Sequence, residues 1–140
     1  MALIHGSRGL IFFVHQFKPV FIEASLLADP DLLAGVTELN RQIQELAPAL
    51  NAQPLEDLDV RADPPRAYVD GTARRVGDSV YIFAVAMRPL AATASFDVPY
   101  VSGTVQAEVI GEGRSISVVD GKFIDNFEGF AVHLYKMPRR

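Results

Sequence analysis

The period of the apolar residues changes once along this chain, and that change limits the folds open to it. Asp29-Pro30-Asp31 supplies a helix cap, a first-turn proline and an acidic group near the positive end of a helix dipole. Apolar residues then recur at three- and four-residue steps and predict an amphipathic helix of about five turns. They are Leu32, Leu33, Val36, Leu39, Ile43, Leu46 and Leu50. Asn51 to Pro54 breaks this pattern, so we expect the helix to end there.

Beyond Pro54 the apolar residues follow a period of two, interrupted by turn residues at short intervals. This pattern predicts an antiparallel β-sandwich of about seven strands. The expected strands are Leu58 to Arg61, Ala67 to Val76, Ser79 to Met87, Ala91 to Val98, Thr104 to Ile110, Arg114 to Val119 and Phe130 to Lys136. Val80 to Val85 is apolar on both faces and is expected to be central. Ile116 and Val118 alternate with serines and indicate a half-exposed strand.

Three short segments between the expected strands are rich in residues that tolerate positive φ angles. Gly77-Asp78 and Asp120-Gly121 predict tight hairpin turns, and Gly111-Glu112-Gly113 predicts a slightly longer one. The strands on either side of each turn should therefore be antiparallel neighbours.

The run from Gly9 to Val14 is continuously apolar, which is typical of a strand covered on both faces in a parallel sheet. Every later strand is expected to be antiparallel, so this strand and the following helix lack the sheet they require. The predicted fold class is mainly β: a C-terminal antiparallel β-sandwich preceded by one β-strand and one long amphipathic α-helix. We expect one unit at 1–53 and the sandwich at 54–140.

Composition excludes several classes of protein. The chain has 140 residues, a net charge of -4 and scattered basic residues, so no positive stripe is available for nucleic acid. We expect no membrane anchor, because the first apolar run is too short to span a bilayer.

His5, His15 and His133 are too dispersed for a metal motif, and no metal or cofactor is predicted. Gly6-Ser7-Arg8-Gly9 is similar to a phosphate loop, but it precedes the expected strand instead of following it. No compartment is indicated.

Residues 2–17, followed by Leu39-Asn40-Arg41-Gln42-Ile43 and Leu46-Ala47-Pro48, resemble the closing βα unit of (β/α)8-barrel glycoside hydrolases. The remainder resembles the end of the accessory sandwich in the same enzymes. The segments that carry this second resemblance are Tyr81 to Val85, Gly111 to Arg114, Asp120 to Phe123, Asp125, Phe127 and Ala131 to Tyr135. Together the two sets span nearly the whole chain.

The resemblance implies that catalysis depends on two carboxylic residues, which barrel hydrolases usually carry on earlier strands. This chain alone is therefore expected to be inactive, with no catalytic residue of its own. His15 and Gln16 lie at the C-terminal end of the expected barrel strand and Glu23 lies in the following loop, which makes all three candidates for substrate binding. Alternatively, His15 satisfies a backbone group at the strand end, and Glu23 is a solvated loop charge or a helix-capping group. Tyr68 and Tyr100 are weaker candidates for an exposed sugar contact, and a structural role is favoured for them.

Three functional hypotheses follow. The first is a C-terminal segment of a glycoside hydrolase-like protein, whose sandwich packs on a catalytic barrel and meets carbohydrate only through the parent enzyme. The second is a self-contained binding or scaffolding sandwich that forms a homo-oligomer through residues 9–17 and 30–50. The third, ranked last, is an independent hydrolase that uses Glu23.

Overall fold

The computed structural model of the chain describes residues 1–139. Two α-helices come first, α1 at Ser25–Ala28 and α2 at Pro30–Leu50. Nine strands follow: β1 Pro54–Leu55, β2 Asp59–Asp63, β3 Val69–Val76, β4 Ser79–Ala86, β5 Ala92–Asp97, β6 Thr104–Val109, β7 Arg114–Val119, β8 Lys122–Phe127 and β9 Val132–Pro138. The fold class is thus mainly β, as predicted. Within residues 1–139, no helix combines the length and apolar character that crossing a bilayer requires.

Helix α2 begins and ends where its sequence signals indicate. The Asp29 side chain accepts hydrogen bonds from the backbone N–H groups of Asp31 and Leu32, at 3.1 and 3.0 Å. At the other end, the backbone N–H and the side-chain amide of Asn51 both donate to the Ala47 carbonyl. These bonds satisfy backbone groups that a helix terminus would otherwise leave unpaired.

The apolar stripe of α2 is only partly covered. Leu33, Val36 and Ile43 are half-buried, whereas Leu32 and Leu39 remain 51% and 41% exposed. The fully buried residue of the helix is Ala49, near its end, so the closest packing is at that end.

The nine strands form one curled sheet in the order β1-β3-β4-β9-β6-β7-β8-β5-β2. Every neighbouring pair is antiparallel. The weakest junction joins β7 to β8, which pair only at Val119 and Lys122 beside their turn. Beyond that point β7 stays with β6 and β8 pairs with β5, so the sheet divides into two layers.

The aromatic contacts show that the two layers face each other. Phe96 of β5 and Phe123 of β8 stack with 4.5 Å between ring centroids. Both rings contact Tyr135 of β9, which belongs to the other layer, at 5.6 and 5.0 Å. The core thus lies between the layers, as in a sandwich. Strand β4 is buried on both faces, as its continuous apolar sequence predicts.

All three predicted turns form. Gly77 has a φ of 57° between β3 and β4, and Gly111 and Gly113 have φ angles of 82° and 64° between β6 and β7. Asp120 and Gly121 have φ angles of 47° and 77° and connect β7 to β8 in a two-residue hairpin. This last turn sends the chain from one layer of the sandwich into the other.

The strands differ from the predictions in three places, since one expected strand is absent and two strands, β1 and β8, were not predicted. The run from Gly9 to Val14 forms no strand, because a strand needs a neighbouring backbone and the described residues supply only an isolated bridge between Gln16 and Ile22. Strand β8 was not predicted, although the turn before it was. Its polar residues Asp125 and Asn126 and its exposed Ile124 obscured the alternation that buries Phe123 and Phe127.

We expect Gly121→Ala to lower the free energy of unfolding by more than about 2 kcal/mol, since a side chain at positive φ alone costs about 1–2 kcal/mol. In addition, a Cβ atom there would lie 2.2 Å from the Val98 carbonyl oxygen. Gly77→Ala is the matched control, because Gly77 also has a positive φ but has open space around it. Urea unfolding measures both changes, and equal losses in the two variants would contradict the importance of this contact.

Candidate functional site

The residues predicted to contact substrate lie in a turn that follows the unpaired N-terminal segment. Gln16 and Ile22 exchange two backbone hydrogen bonds of 3.0 and 2.9 Å and close the turn. The His15 ring lies 5.1 Å from Phe13 and 5.9 Å from Phe21, between centroids. The His15 Nδ1 atom is buried and has no hydrogen-bond partner within residues 1–139. The alternative in which His15 satisfies a backbone group at a strand end stays a prediction.

Gln16 and Glu23 lie close to His15 along the chain but form no joint polar site with it. The Gln16 side chain donates to the Val20 carbonyl at 3.3 Å, inside the same turn. Glu23 is exposed and makes no hydrogen bond or ion pair within the described part of the chain. Substrate binding by His15, Gln16 and Glu23 remains a prediction.

A polar network that the sequence did not predict links the two layers of the sandwich. Arg114, at the start of β7, donates two hydrogen bonds of 2.9 and 2.7 Å to the two carboxylate oxygens of Asp125 on β8. The hydroxyl of Tyr135 on β9 donates to the same carboxylate at 2.8 Å. Because the two-pronged contact is geometrically specific, it fixes β8 relative to β7 at the end opposite their hairpin.

The network continues into the turn between β6 and β7. Arg114 Nε donates to Glu112 at 2.7 Å, and the other carboxylate oxygen of Glu112 contacts His133 Nδ1. His133 Nε2 lies 3.1 Å from the Asn126 carbonyl oxygen, which belongs to β8. The imidazole also packs edge-on against Phe127 at 4.5 Å. Side chains from β7, β8, β9 and one turn are thereby held together.

Both carboxyl groups of this network are shifted towards their charged form. For Asp125, burial opposes ionisation, but hydrogen bonds from Arg114, Tyr135 and the Asn126 backbone outweigh it and lower the pKa. For Glu112, burial likewise opposes ionisation, and the contacts with His133 and Arg114 lower the pKa overall. Burial and the Asp125 carboxylate raise the pKa of Tyr135. These shifts keep the two carboxylates charged and the Tyr135 hydroxyl protonated, so that it can donate its hydrogen bond.

A faint signal for this network was present in the sequence. His133 lies two residues before Tyr135 and four before Met137, both of which are buried. A histidine in phase with core residues on a strand requires a polar partner. The partner lies 21 residues away along the chain, so no local pattern could identify Glu112.

The network resembles a clamp more than a catalytic or metal site. Arg114 contacts both Glu112 and Asp125, and their oxygens are already bonded. Within residues 1–139, no three His, Asp or Glu side chains are grouped so that they could hold a metal ion.

Tyr68 is 49% exposed and donates to Asp70, while the Tyr100 hydroxyl donates to the Glu56 carbonyl. The Tyr100 contact agrees with the structural role that was favoured.

Comparison with known proteins finds a likeness among solved structures. No family model matches the chain, and no curated protein matches it. Among solved structures it is similar to an alpha-amylase from Anoxybacillus, described as giving insights into a new glycosyl hydrolase subclass. The TM-score is 0.52 at 16% sequence identity, and the match covers 80% of this chain.

The same match covers only 23% of the amylase chain, so this chain spans less than a quarter of that protein's length. At this identity the likeness concerns the fold alone. The predicted resemblance to glycoside hydrolases is therefore confirmed in its coarse form, as a fold that part of such an enzyme shares.

We expect Asp125→Asn to lower the free energy of unfolding by about 2 kcal/mol, because it removes the carboxylate that binds Arg114 through two hydrogen bonds in a partly buried place. Asp97→Asn is the matched control, because it also neutralises a carboxylate that pairs with a basic residue of another strand, here Lys122 of β8. Its ion pair with Lys122 is exposed, and its loss should cost less than about 1 kcal/mol. Denaturant unfolding compares the variants, and an equal cost would show that the clamp does not stabilise the sandwich.

We also expect the stability of the sandwich to fall in acid. The ordinary pKa values of Glu112 and Asp125 are 4.5 and 3.8, and both pKa values are lower in the folded chain. Their stabilisation is thus fully present above these ordinary values and is lost as the pH falls through the folded ones. Unfolding measured from about pH 6 to about pH 2 should show this loss. It should be smaller in the Glu112→Gln/Asp125→Asn double variant and unchanged in Asp97→Asn.

Proposed function

We propose that this chain is the C-terminal segment of a glycoside hydrolase-like protein, with a sandwich that packs on a catalytic barrel. In this proposal residues 1–53 supply the closing βα unit of the barrel, and residues 54–140 form the accessory domain. The chain does not catalyse hydrolysis alone, because the two required carboxylic residues lie on other strands of the barrel.

The observation that carries the proposal is an exposed apolar surface on residues 9–27. Ile11 is 100% exposed, Phe13 is 72% exposed and Phe17 is 66% exposed. The exposed apolar residues of this surface are Leu10, Ile11, Phe12, Phe13, Phe17, Val20, Phe21, Ile22 and Leu27. A continuous exposed apolar surface of this kind marks a place where another surface binds.

The backbone of the same segment supports a barrel strand. Leu10 to Phe13 make no backbone hydrogen bond within residues 1–139. In a barrel, parallel strands on both sides would pair with these groups, and helices would cover the apolar side chains. The exposed start of α2, with Leu32 and Leu39, would face the same partner. The similarity in fold to part of an alpha-amylase agrees with this arrangement.

Within this proposal His15 and Gln16 contribute to a sugar site at the mouth of the barrel. The buried, unpaired Nδ1 of His15 is a polar atom that a substrate or a neighbouring strand could satisfy. Glu23 is exposed and has no partner in the described part of the chain, which fits a peripheral contact with carbohydrate and not general acid catalysis.

The second candidate function uses the same surface differently. A self-contained scaffolding protein could bury residues 9–17 and 30–50 against a second copy of the chain, and the exposure of Phe13 and Phe17 favours such a contact equally. The two candidates differ in the mass of the natural protein and in how the isolated chain associates.

The experiment is an immunoblot of source cells with an antibody raised against residues 54–140. We expect a band several times heavier than the 15.3 kDa of this chain, because the barrel would be part of the same polypeptide. A band of about the mass of this chain would refute the proposal and leave the scaffold as the candidate.

Sedimentation velocity of the isolated chain separates the candidates further. The barrel segment should associate without a defined stoichiometry, whereas the scaffold should give one stable dimer. Phe13→Ser combined with Phe17→Ser should reduce either kind of association without unfolding the sandwich, because both rings are exposed. Ile124→Ser, which changes a 63% exposed residue on β8, is the matched control and should leave association unchanged.

A further inference from the structure

A cleft of about 750 Å³ lies between the N-terminal segment, the C-terminal half of α2 and the edge of the sheet at β1 and β3. This volume is in the range of small-molecule sites, which extends from about 300 to 1,000 Å³. The cleft is separate from both the His15 turn and the clamp around Arg114, since none of their polar residues lines it.

The charge of the cleft is opposite to that of the protein. The chain carries a net charge of -4, yet the cleft is lined by Arg8 and Arg74 and by no acidic residue. Neither arginine forms an ion pair within residues 1–139. Two unneutralised guanidinium groups in one concave surface favour an anionic ligand.

Arg74 is held in place and incompletely satisfied. Its Nη1 donates to the Ala52 carbonyl, which fixes the guanidinium beside the end of α2. Its Nε is buried and has no hydrogen-bond partner in the described residues. A buried donor without an acceptor is unfavourable, so an oxyanion that reached this guanidinium would gain a charged hydrogen bond.

The remaining walls suit a ligand that carries hydroxyl groups. The amides of Asn40, Gln44 and Gln53 line the cleft and make no hydrogen bond within residues 1–139. Such amides can both donate to and accept from hydroxyls. Apolar surface from Ile43 and Leu50 lies beside them and can cover the C–H face of a small ring.

Gly6-Ser7-Arg8-Gly9 does not precede a strand as the sequence predicted, because residues 9–14 form no strand. The segment instead lines the cleft and brings Arg8 to the same concave surface as Arg74. Its contribution is therefore a side-chain charge and not a loop of backbone amides.

We propose that this cleft binds a small polyhydroxylated anion, such as a hexuronate or a hexose phosphate. Arg74 and Arg8 bind the anionic group, and the three amides bind the hydroxyls. The assignment goes beyond the proposed accessory function and does not rest on it, because this chain alone forms the cleft.

Titration calorimetry of the 140-residue chain tests the proposal with four probes: glucuronate, glucose 6-phosphate, glucose and inorganic phosphate. We expect at least one of the two sugar anions to bind saturably. The affinity for glucose and for inorganic phosphate should be lower by about tenfold or more. Tighter binding of glucuronate identifies a carboxylate as the recognised group, and tighter binding of glucose 6-phosphate identifies a phosphate. No saturable binding of either sugar anion, or equal binding of the sugar anions and inorganic phosphate, overturns the proposal.

The variants locate the site. Arg74→Gln should weaken binding of the sugar anion by about tenfold or more, since it removes one charged hydrogen-bonding group. Arg75→Gln is the matched control, because Arg75 follows Arg74 on β3 and its side chain therefore points to the opposite face of the sheet. Its guanidinium donates to the Gly77 carbonyl and does not line the cleft. Circular dichroism checks that both variants fold. Arg8→Gln should weaken binding as well and tests the cleft without altering the sheet. Unchanged affinity in both Arg74→Gln and Arg8→Gln would refute the assignment.

Discussion

The sandwich depends on the hairpin between β7 and β8, where the chain passes from one layer of the sheet to the other. Strands β7 and β8 pair only at Val119 and Lys122, so the two layers separate immediately beyond their hairpin. Gly121 makes this turn possible, because its backbone lies against the Val98 carbonyl where a side chain would not fit. Once the layers diverge, their inner faces must be filled, and the rings of Phe96, Phe123 and Tyr135 fill them.

Because Tyr135 fills part of this space, its buried hydroxyl group requires a hydrogen-bond partner, and the polar network provides one. The Tyr135 residue is completely buried, so its hydroxyl must find an acceptor inside the protein. Asp125 is that acceptor, and a carboxylate in such a place needs a positive neighbour in turn. Arg114 supplies it from the opposite layer. The aromatic core and the ion pair therefore depend on each other, because the Tyr135 ring packs in the core while its hydroxyl binds the carboxylate that pairs with Arg114.

Features that depend on neighbouring residues could be predicted from the sequence. Asp29 with Pro30 caps a helix, and Asp120-Gly121 forms a two-residue turn, through interactions that span only a few positions. Features that depend on distant partners could not. Strand β8 was not predicted because its inward-facing residues include the polar Asp125 and its outward-facing residues include the apolar Ile124. The contact of His133 with Glu112 was not predicted because it joins a strand to a turn 21 residues away.

The run from Gly9 to Val14 shows a different limit. Its sequence is that of a buried strand, but a strand is a property of two backbones, and the described residues contain no partner for it. The candidate residues His15, Gln16 and Glu23 are subject to the same limit. Their proximity along the chain was evident, but the described residues do not bring their polar groups together into one site.

The electrostatics of the sandwich explain why its best-organised polar residues do not form a hydrolase site. A general acid that works on a glycosidic bond needs a carboxyl group with a raised pKa, so that it holds its proton near neutral pH. In Asp125 and Glu112 the surroundings act in the opposite direction. Hydrogen bonds from Arg114 and Tyr135 lower the pKa of Asp125, and the contacts with His133 and Arg114 lower the pKa of Glu112, in each case against the effect of burial. Each carboxylate is held in its charged form, and the bonds between Asp125 and Arg114 hold the two layers together. The same contacts that make this network a good clamp therefore make it a poor acid catalyst.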